Sequence, residues 1–380
     1  MNWKVRFVDY PSQFKKMEKE IMDTIKTTLS NGDLILRQQL RDFEKNFAAF
    51  VGVKYAVGVS NCTDALRLAL IATGVGYGDE VITVSHTFVA TAAAIHHVGA
   101  MPVLVDIDDD HNIDVDLIEQ AITPRTKVIM PVHLNGRVCN MARMVSIAEK
   151  HGILIIEDAA QALGASFNDI KVGTFGLAGC FSFYPAKLLG AFGDGGAVVT
   201  NSLEIAQKIK ALRDHGRMKD GNISGWAFNC RLDNLQAALL DLKLKQLPEW
   251  IKRRREIALL YYAKLSQVTE VRLPPPPAFH GSYYDSFQNY EIEAQDRDRL
   301  VSYLKENGVE ILIPWGGRAV HQFEELQLSG FHLPRTERLF REVLMLPLTT
   351  ELSNEQIDYV ANTIHNFYQL KNVKSTPVSV

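Results

Sequence analysis

The sequence predicts an α/β protein with a mostly parallel seven-stranded sheet flanked by helices, followed by a smaller C-terminal α+β unit. Between residues 54 and 200, seven short apolar runs alternate with helix-like segments, an order that is typical of parallel sheets. Several runs are almost entirely apolar, as expected for strands covered on both faces. The seven runs are KYAVGVS, DEVITV, MPVLVDI, KVIMPVHL, ILIIED, GCFSF and GGAVVT.

Helical patterns precede and separate these strands. The segment Phe14–Gly52 has an amphipathic helical period, and we expect it to pack on the sheet or to reach a partner subunit. Within the alternating region, the helix-like segment MARMVSIAEKHG is closed by Gly152, a residue type that often ends helices. After Thr200, a long helix is predicted over Asn234–Leu265, with a break near Pro248.

The C-terminal part reads as a separate, smaller unit. Four prolines, Pro274–Pro277, form a stiff connector. The segments beyond them predict, in order, a strand, a helix, a strand and a helix: SFQNYEIEA, DRDRLVSYLKENG, VEILIPW and NEQIDYVANTIHNFYQL. We therefore predict a large domain over residues 1–247 and a small domain over 248–380. The charge run Lys252–Glu256 (KRRRE) is expected to be a solvated helix face, with a phosphate contact as the alternative.

Composition excludes several classes of function. The 380 residues include 41 basic and 44 acidic ones, so the net charge of −3 gives no electrostatic case for nucleic-acid binding. No stretch approaches the roughly 20 apolar residues of a membrane span, and the N-terminus lacks an apolar signal core. The four cysteines stand far apart without a CxxC pair, which predicts neither a disulfide framework nor a metal site. We expect a cytoplasmic enzyme.

Polar residues follow three of the runs, at the strand ends where open α/β sheets bind ligands. Ser60–Asp64 (SNCTD) opens a helix and could bind a phosphate, or it could be a plain N-cap. Phe88 follows the second run and could stack on a ligand ring or belong to the core. Asp158 ends a buried apolar strand, where a carboxylate needs a positive partner such as a protonated pyridine nitrogen. A helix N-cap is the alternative for Asp158.

The densest signal is the segment GCFSFYPAKLLGAFGDGGAVVT. Lys187 lies there on a turn between Pro185 and Gly190, and a lysine in a largely buried turn can act as a nucleophilic amine. Taken alone, a lysine in such a segment is more often a surface lysine. The glycines do not match the dinucleotide fingerprint, because they precede a strand. Together, a phosphate site, a stacking aromatic, an acid for a ring nitrogen and a buried amine match the requirements of pyridoxal phosphate.

Together with the segments around them, these residues resemble those of the sugar-nucleotide aminotransferases of the DegT/DnrJ/EryC1/StrS family, in the aspartate-aminotransferase superfamily (fold type I). The resemblance runs from about Asn31 to Tyr368. Each motif is moderately specific, and the set in this order is highly specific. The motifs are VGVSNCTDAL, HTFVATAAA, PVHLNG, IIEDAAQALGA, FSFYPAKLLGAFGDGG, DHGR and NCRLDNLQAA.

The resemblance implies roles for individual residues. Lys187 resembles the lysine that binds the cofactor as a Schiff base, Asp158 the partner of the pyridine nitrogen, and Gln161 the group near the ring hydroxyl. Phe88 resembles the stacking aromatic. The phosphate contacts implied are Cys62, Thr63 and Ser182. Asn229 resembles an asparagine contributed by the neighbouring subunit, which implies a homodimer with shared sites.

Substrate contacts are less well defined by the resemblance. The candidates are His133, Tyr184, His215, Arg217, Trp315 and His321, and for His215 and Arg217 a structural loop role is an equal alternative. Cys62 departs from the glycine of many members, and Asn135 from a frequent tyrosine. The segment PWGGRAVHQF also departs from versions associated with particular members. A cysteine can still hold a phosphate by its main-chain N–H, so the departures that concern the identity of the sugar are those at Asn135 and in PWGGRAVHQF.

The resemblance implies transfer of an amino group from an amino acid, L-glutamate being the expected donor, to C3 or C4 of a nucleotide-linked keto-deoxy sugar. The nucleotide stays open, as does the destination of the product, a surface polysaccharide such as an O-antigen or a secondary metabolite. Three alternatives stay open: a dehydratase of the same fold, a non-catalytic regulator and a nicotinamide-dependent enzyme. Lysine at position 187 argues against a dehydratase, because some relatives with that activity carry histidine there.

Overall fold

The structure is a computed structural model of the chain that describes residues 3–278 and 281–375. Its helices are α1 Tyr10–Lys16, α2 Glu18–Ser30, α3 Gln38–Val51, α4 Cys62–Ala72, α5 Ala90–His97, α6 Val115–Ala121, α7 Met141–His151, α8 Leu203–Leu212, α9 Asn234–Leu244, α10 Leu247–Leu265, α11 Arg297–Glu306, α12 Pro334–Glu342 and α13 Asn354–Ser375.

Its strands are β1 Tyr55–Val59, β2 Glu80–Val84, β3 Met101–Val105, β4 Thr126–Ile129, β5 Leu154–Asp158, β6 Ser166–Phe167, β7 Ile170–Lys171, β8 Ala178–Ser182, β9 Gly196–Thr200, β10 Val271–Arg272, β11 Tyr283–Tyr284, β12 Tyr290–Ala294 and β13 Val343–Leu346. Each of the seven apolar runs singled out in the sequence coincides with one strand of the large sheet, with β4 and β8 beginning one residue before their runs.

The large sheet has seven strands in the order β1-β9-β8-β5-β4-β2-β3. β8, β5, β4, β2 and β3 pair in parallel, whereas β9 runs antiparallel to both of its neighbours. Every residue of β2 and β9 is buried, which explains why these runs lack polar alternation. The predicted α/β class and the mostly parallel sheet are confirmed.

Helices cover both faces of this sheet. On one face, α3 packs on α9 and on β1, and Phe43 and Phe47 form edge-to-face pairs with Phe183, with ring centroids 5.4 and 5.2 Å apart. On the other face, α4 packs on β8 and β9 and buries Leu66 and Leu70. The amphipathic N-terminal segment therefore forms separate helices, of which α3 packs on the sheet.

The long helical region breaks where the sequence predicts. α9 ends at Leu244 and α10 begins at Leu247, with Pro248 in its first turn, where the missing N–H group costs no hydrogen bond. Leu247 and Ile251 pack in the core beside the large sheet, whereas Tyr261 and Leu265 pack in the core of the C-terminal part. One helix therefore belongs to both cores, and the predicted division between residues 247 and 248 stays a prediction.

The C-terminal part contains an antiparallel sheet of order β10-β12-β13, with α11 packed against β12 and β13, and α13 packed against α10 and α11. The strand predicted at VEILIPW is wrong. Val309 and Leu312 form only isolated bridges, and the chain turns into a 3₁₀ helix at Pro314–Gly317 because Trp315 adopts a left-handed φ of 48°. β13, which the sequence analysis did not predict, lies beside β12 instead.

The solvated helix face predicted for KRRRE is also wrong in part. Arg254 and Arg255 are 7% and 6% exposed. They lie at positions i+3 and i+4 from Ile251, with Ala258 at i+7, and this spacing forms the buried stripe of α10. Among the helices of residues 3–278 and 281–375, none is both long and apolar enough to cross a bilayer.

Candidate active site

A cavity of about 720 Å³ opens at the carboxyl ends of the parallel strands, between the large sheet and the C-terminal part. It brings together most of the site residues that the sequence singles out. Those that line it are Cys62, Thr63, Phe88, Asp158, Gln161, Ser182, Tyr184, Lys187 and Trp315. The first and last of these residues, Cys62 and Trp315, lie 253 positions apart in the chain, so the fold itself assembles the site.

Lys187 lies on a tight turn between β8 and β9. Its main-chain N–H donates to the Tyr184 carbonyl at 2.8 Å, and Gly190 approaches Pro185 so closely that a Cβ there would meet the Pro185 oxygen at 2.3 Å. Burial lowers the pKa of the Lys187 ammonium, opposed by the nearby Cys62 and Asp158. The turn thus presents an amine that loses its proton more readily than an exposed lysine.

Asp158 ends β5 and is 4% exposed. Its Oδ2 accepts a hydrogen bond from Thr91 Oγ1 at 2.8 Å, and its Oδ1 accepts from the Ala160 N–H at 3.2 Å. Burial raises the pKa of this carboxyl, while these two hydrogen bonds and the charge of Lys187 oppose the rise. A cation in the cavity would relieve the cost of its buried charge.

The first turn of α4 provides an anion site at the cavity wall. Asn61 caps this helix by accepting from the Asp64 N–H at 2.8 Å, so the amides of Cys62 and Thr63 stay available, as first-turn amides have no partner within the helix. β9 passes so close that a Cβ at Gly196 would lie 2.8 Å from the Cys62 nitrogen. Amides at a helix N-terminus suit a phosphate.

Phe88 projects into the same cavity from the segment between β2 and α5. Its side chain is 55% exposed although it lies inside the cavity wall, and within the described part of the chain its ring has no aromatic partner. The core alternative for Phe88 is therefore wrong. An unpaired aromatic face beside an acid and an amine suits a planar ring.

Together these features fit pyridoxal phosphate. The helix amides and the Ser182 hydroxyl could hold its phosphate, Phe88 could cover its ring, Asp158 could pair with its ring nitrogen, and Lys187 could reach its aldehyde carbon. Within residues 3–278 and 281–375, no group of three or more His, Cys, Asp or Glu side chains is arranged to hold a metal ion.

Two predicted substrate contacts lie outside the cavity. His133 is fully buried, its Nε2 lies 3.0 Å from Glu157 Oε2, and its Nδ1 accepts from the Cys139 N–H at 3.1 Å. His321 is 4% exposed and its Nδ1 lies 2.7 Å from Ser85 Oγ. The hydrogen bonds of both rings are made to groups of the protein, and neither ring lines the cavity. The structure therefore corrects the expectation that they contact a substrate directly.

The structure places three further predicted residues on an exposed segment outside the cavity of their own chain. Asn229, His215 and Arg217 are exposed, and Asn229 forms an isolated antiparallel bridge with Asp214. Trp226, at the tip of the same segment, is fully exposed at 103%. The expectation that Asn229 acts in a neighbouring subunit stays a prediction.

Sequence reasoning missed several residues of the cavity wall. Gln288 and Asn289 arrive from the segment before β12, Thr91 from α5 and Arg254 from α10. Thr91 carried a signal, because it lies one turn after Phe88 in a polar stretch at a strand end. The position of Arg254 in the buried stripe of α10 was a second usable signal, whereas nothing local marks Gln288 or Asn289.

Gln288 holds the Lys187 turn from both sides. Its Oε1 accepts from the Leu188 N–H at 2.9 Å, and its Nε2 donates to the Ala186 carbonyl at 2.9 Å. Arg254 in turn donates from Nη1 to the carbonyls of Phe287 and Gln288, at 3.1 and 2.9 Å. This chain of contacts positions the lysine from the C-terminal part of the molecule.

A second cavity of about 710 Å³ lies on the other side of the Lys187 turn, between α2 and α10. Tyr184, Lys187 and Arg254 line both cavities. Arg254 is buried without an ion-pair partner among the described residues, and Glu351 acts on it only from a greater distance. Burial lowers the pKa of this guanidinium to about 10.

Behind Trp315 lies a buried cluster of two histidines and two glutamates. The His86 ring packs edge-to-face on Trp315 with centroids 5.4 Å apart, and its Nε2 lies 3.5 Å from Glu291. His111 lies 2.8 Å from Glu291 and 3.2 Å from Glu293. The two carboxylates raise the pKa of His111 to about 9 against burial. The cluster joins the large sheet to β12.

Comparison with known proteins identifies relatives of this arrangement. The sequence profile of the DegT/DnrJ/EryC1/StrS aminotransferase family matches residues 15–365. The UDP-N-acetyl-3-dehydro-alpha-D-glucosamine 3-aminotransferase of Acidithiobacillus ferrooxidans is 40% identical over 366 residues, 96% of this chain and 98% of that protein. The dTDP-3-amino-3,4,6-trideoxy-alpha-D-glucose transaminase of Micromonospora megalomicea subsp. nigra is 37% identical, over 93% of this chain and 96% of that one. A "pleiotropic regulatory protein" of Geobacillus stearothermophilus is 39% identical, over 96% and 99%.

Solved structures share the whole fold. The crystal structure of S. venezuelae DesV in complex with a ketimine intermediate superposes with a TM-score of 0.91 at 36% identity, covering 96% of this chain and 98% of that one. The PLP form of the putative sugar aminotransferase Spr1654 from Streptococcus pneumoniae superposes with a TM-score of 0.86 at 26% identity, covering 92% and 96%.

Proposed function

This chain belongs to the DegT/DnrJ/EryC1/StrS aminotransferase family, and on that basis we propose that it transfers an amino group from L-glutamate to carbon 3 of a nucleotide-linked keto sugar. It is a pyridoxal-phosphate-dependent aminotransferase of fold type I. The observation that supports carbon 3, out of the C3 and C4 left open by the sequence, is that the relatives named above as acting on UDP- and dTDP-sugars both carry that position in their names.

Bound pyridoxal phosphate supplies an electron-withdrawing ring and a carbon that accepts and then releases the amino group. With the cofactor bound, Lys187 would carry the proton to and from the substrate carbon, and burial lowers the pKa of its ammonium, which favours the neutral amine that this role requires. Asp158 would hold the ring nitrogen of the cofactor in its protonated form, because a buried carboxylate and a cation stabilise each other. The overall balance is an amino acid plus a keto sugar giving a 2-oxo acid plus an amino sugar.

We propose Arg254 as the group that binds the donor's carboxylate. Its guanidinium lines the cavity beside Lys187, is 7% exposed and has no carboxylate at ion-pair distance in the described residues. A buried cation without a counter-ion is costly, and an incoming carboxylate would remove that cost. Glutamate bound there would lie beside the Lys187 turn.

We also propose a cytoplasmic homodimer with shared sites. The support is the location of Asn229 and Trp226 on an exposed segment that does not contact the cavity of its own chain. A fully exposed tryptophan beside a predicted site residue is typical of an interface.

A test of the reaction uses purified protein loaded with pyridoxal phosphate, L-glutamate and matched 3-keto and 4-keto nucleotide sugars. We expect 2-oxoglutarate and a 3-amino sugar whose C3 proton shifts in the NMR spectrum. Turnover of only the 4-keto sugar would contradict the carbon assignment, and no turnover of either would contradict the substrate class. The Lys187→Ala variant is the matched inactive control.

A second candidate function is regulation without catalysis, which the name of the Geobacillus relative favours. A regulator has no use for an amine whose pKa is lowered by burial beside a buried carboxylate. Loss of visible absorbance on addition of glutamate, with release of 2-oxoglutarate, would separate the two functions, because amino transfer to the cofactor would remove its visible absorbance and a regulator without catalysis would leave it unchanged.

A further inference from the structure

The side-chain amide of Gln161 has an orientation that can be deduced from its partners. Its Oε1 accepts from the main-chain N–H of Asn135 at 3.0 Å and from Asn289 Nδ2 at 3.1 Å. A main-chain N–H can only donate, so the oxygen of Gln161 must face Asn135. The nitrogen of the amide is therefore turned the other way, and Gln161 lines the cavity.

The same argument fixes the two asparagines. Because Gln161 Oε1 is an acceptor, Asn289 must present its NH₂ group, and this group also donates to Asn135 Oδ1 at 2.8 Å. One main-chain N–H thus sets three side-chain amides, without relying on how any of them is drawn. No partner for Gln161 Nε2 is found within residues 3–278 and 281–375, so its two donors stay available to a ligand in the cavity.

The two asparagines come from different parts of the molecule. Asn135 lies after β4, in a turn where it adopts a left-handed φ of 56°, a conformation that asparagine tolerates better than most residues. Asn289 directly precedes β12 of the small sheet. The turn is pressed against this segment, since a Cβ at Gly136 would lie 2.4 Å from the Phe287 nitrogen. Gln161 is held where the two parts meet.

From this network we propose that Asn135 and Asn289 are positioning residues, which hold Gln161 so that its Nε2 donates to the ring oxygen of the bound cofactor. The inference rests on the proposed function, because it requires pyridoxal phosphate in the cavity. It goes further by assigning the electronic state of the cofactor to contacts made from the C-terminal part of the chain.

A hydrogen-bond donor at the ring oxygen of the cofactor should lower the pKa of the Lys187 nitrogen that is bonded to the cofactor. It withdraws negative charge from the oxygen, and the lysine nitrogen bonded to the cofactor then holds its proton less tightly. Loss of this hydrogen-bond donor should raise the pH at which the visible absorbance changes.

The other titratable side chains that line the cavity are Cys62, Asp158, Tyr184, Asp194 and Arg254. Those lining the neighbouring cavity with Asn135 and Asn289 are Asp109, Asp110, His111, Arg137, Tyr262, Arg272, Asp285 and Glu291. None of these is changed in the test.

The test is a pH titration of the visible absorbance of the cofactor-loaded protein. Asn289→Leu removes the donor that holds Gln161, and Asn289→Asp replaces it with an acceptor that repels Gln161 Oε1. We expect the pH midpoint of the absorbance change to rise by about half a pH unit or more in both variants. The matched control is Asn307→Leu, which removes another partly buried asparagine of the C-terminal part whose Nδ2 donates to the Tyr303 carbonyl at 2.8 Å. Its midpoint should equal that of the wild type.

The outcomes separate this inference from the proposed function. A coloured Asn289→Leu protein with the wild-type midpoint would overturn the role of Asn289 and leave the proposed function intact. A wild-type protein that stays colourless with pyridoxal phosphate would overturn the proposed function and the inference with it. If Asn289→Leu does not fold, as judged by circular dichroism, the midpoint of the isosteric Asn289→Asp protein decides. A shift in Asn307→Leu as large as in the Asn289 variants would show a general effect and overturn the inference.

Discussion

Gln288 brackets Lys187, bonding to the peptide groups of the residue before it and the residue after it. The oxygen of the Gln288 amide accepts from Leu188 and its nitrogen donates to Ala186, both at 2.9 Å. The amine that would do the chemistry is therefore positioned by a residue about 100 positions away in the chain. Small changes in the C-terminal part can reach the reacting centre through this one side chain.

Replacing Gln288 tests this relationship. Gln288→Leu removes both hydrogen bonds and leaves the Leu188 N–H and the Ala186 carbonyl unpaired, at a cost of about 1–3 kcal/mol each. We expect the rate of absorbance loss with glutamate to fall about tenfold to a hundredfold in rapid-mixing experiments, with cofactor still bound. Gln356→Leu is the control, because the Gln356 side chain lies outside the cavity, where it bonds to the Ser353 N–H and the Lys4 carbonyl; its rate should equal that of the wild type. A normal rate in Gln288→Leu would show that the clamp has no kinetic role.

Lys187→Ala should nearly abolish turnover, because it removes the group that carries the proton. General acid–base catalysis of this kind contributes roughly 10²–10⁴ in rate. Pyridoxal phosphate should still bind through the remaining contacts, which equilibrium dialysis can measure. Near-normal turnover in this variant would contradict the role assigned to the lysine, whereas Lys187→Arg should be as inactive as Lys187→Ala.

Asp158→Asn should leave the cofactor-free protein at least as stable as the wild type, while activity is lost. Burial raises the pKa of this carboxyl in the folded protein, so its contribution to stability is present at acid pH and is lost as the pH rises through the folded pKa. At neutral pH the carboxylate is therefore a cost that asparagine avoids, since asparagine still accepts from the Ala160 N–H. Thermal unfolding at pH 7 and pH 4 measures the effect, and a large drop at pH 7 would argue against it.

His111→Gln should change how stability depends on pH. In the folded protein the pKa of His111 is raised from 6.5 to about 9, so its stabilisation is fully present below pH 6.5 and is lost between about 6.5 and 9. The pKa of Glu291 is lowered to about 2 by His86 and His111, which gives a matching loss at acid pH, below 4.5. We expect wild-type stability to fall by on the order of 2 kcal/mol from pH 6 to pH 9 relative to the variant, in urea titrations. Parallel curves for the two proteins would contradict the ion pairs.

Mixing two inactive variants tests the shared site. If Asn229 acts in the neighbouring subunit, a Lys187→Ala and an Asn229→Ala protein that are denatured and refolded together form heterodimers with one intact site. We expect recovery of about a quarter of wild-type activity at equal amounts. Refolding each variant alone is the control, and no recovery in a mixture shown to be dimeric by light scattering would place Asn229 outside the site.

The chemistry-bearing residues could be predicted because their signals are local. Lys187 stands between a proline and a glycine after an apolar run, and Asp158 ends another such run, so that both belong to strand ends. His133 has the same local signature, yet its ring turns towards Glu157 instead of the cavity. A strand end alone does not tell which way the next side chain points, because packing decides it.

The residues that position the site could not be found in this way. Gln288 and Asn289 reach the cavity only because the segment before β12 packs on the turns after β4 and β8. β13 was missed together with α12, because its four apolar residues follow that helix directly, with no turn residue between them to mark a new element. Arg254, in contrast, could have been placed by its spacing to Ile251 and Ala258.

The continuity of α10 limits how this protein can be recombined with others. Its first turns belong to one core and its last turns to the other, so a crossover between residues 247 and 248 would bring the foreign first turns of the helix, including position 251, into the core beside the large sheet. A crossover between Leu265 and Val271 would instead leave the last turns of α10, with Tyr261 and Leu265, packed in a foreign C-terminal core. In either case the foreign C-terminal part would have to supply its own equivalents of Gln288 and Asn289. A hybrid that keeps Lys187 without them would lose the hydrogen bonds that position the lysine turn and Gln161.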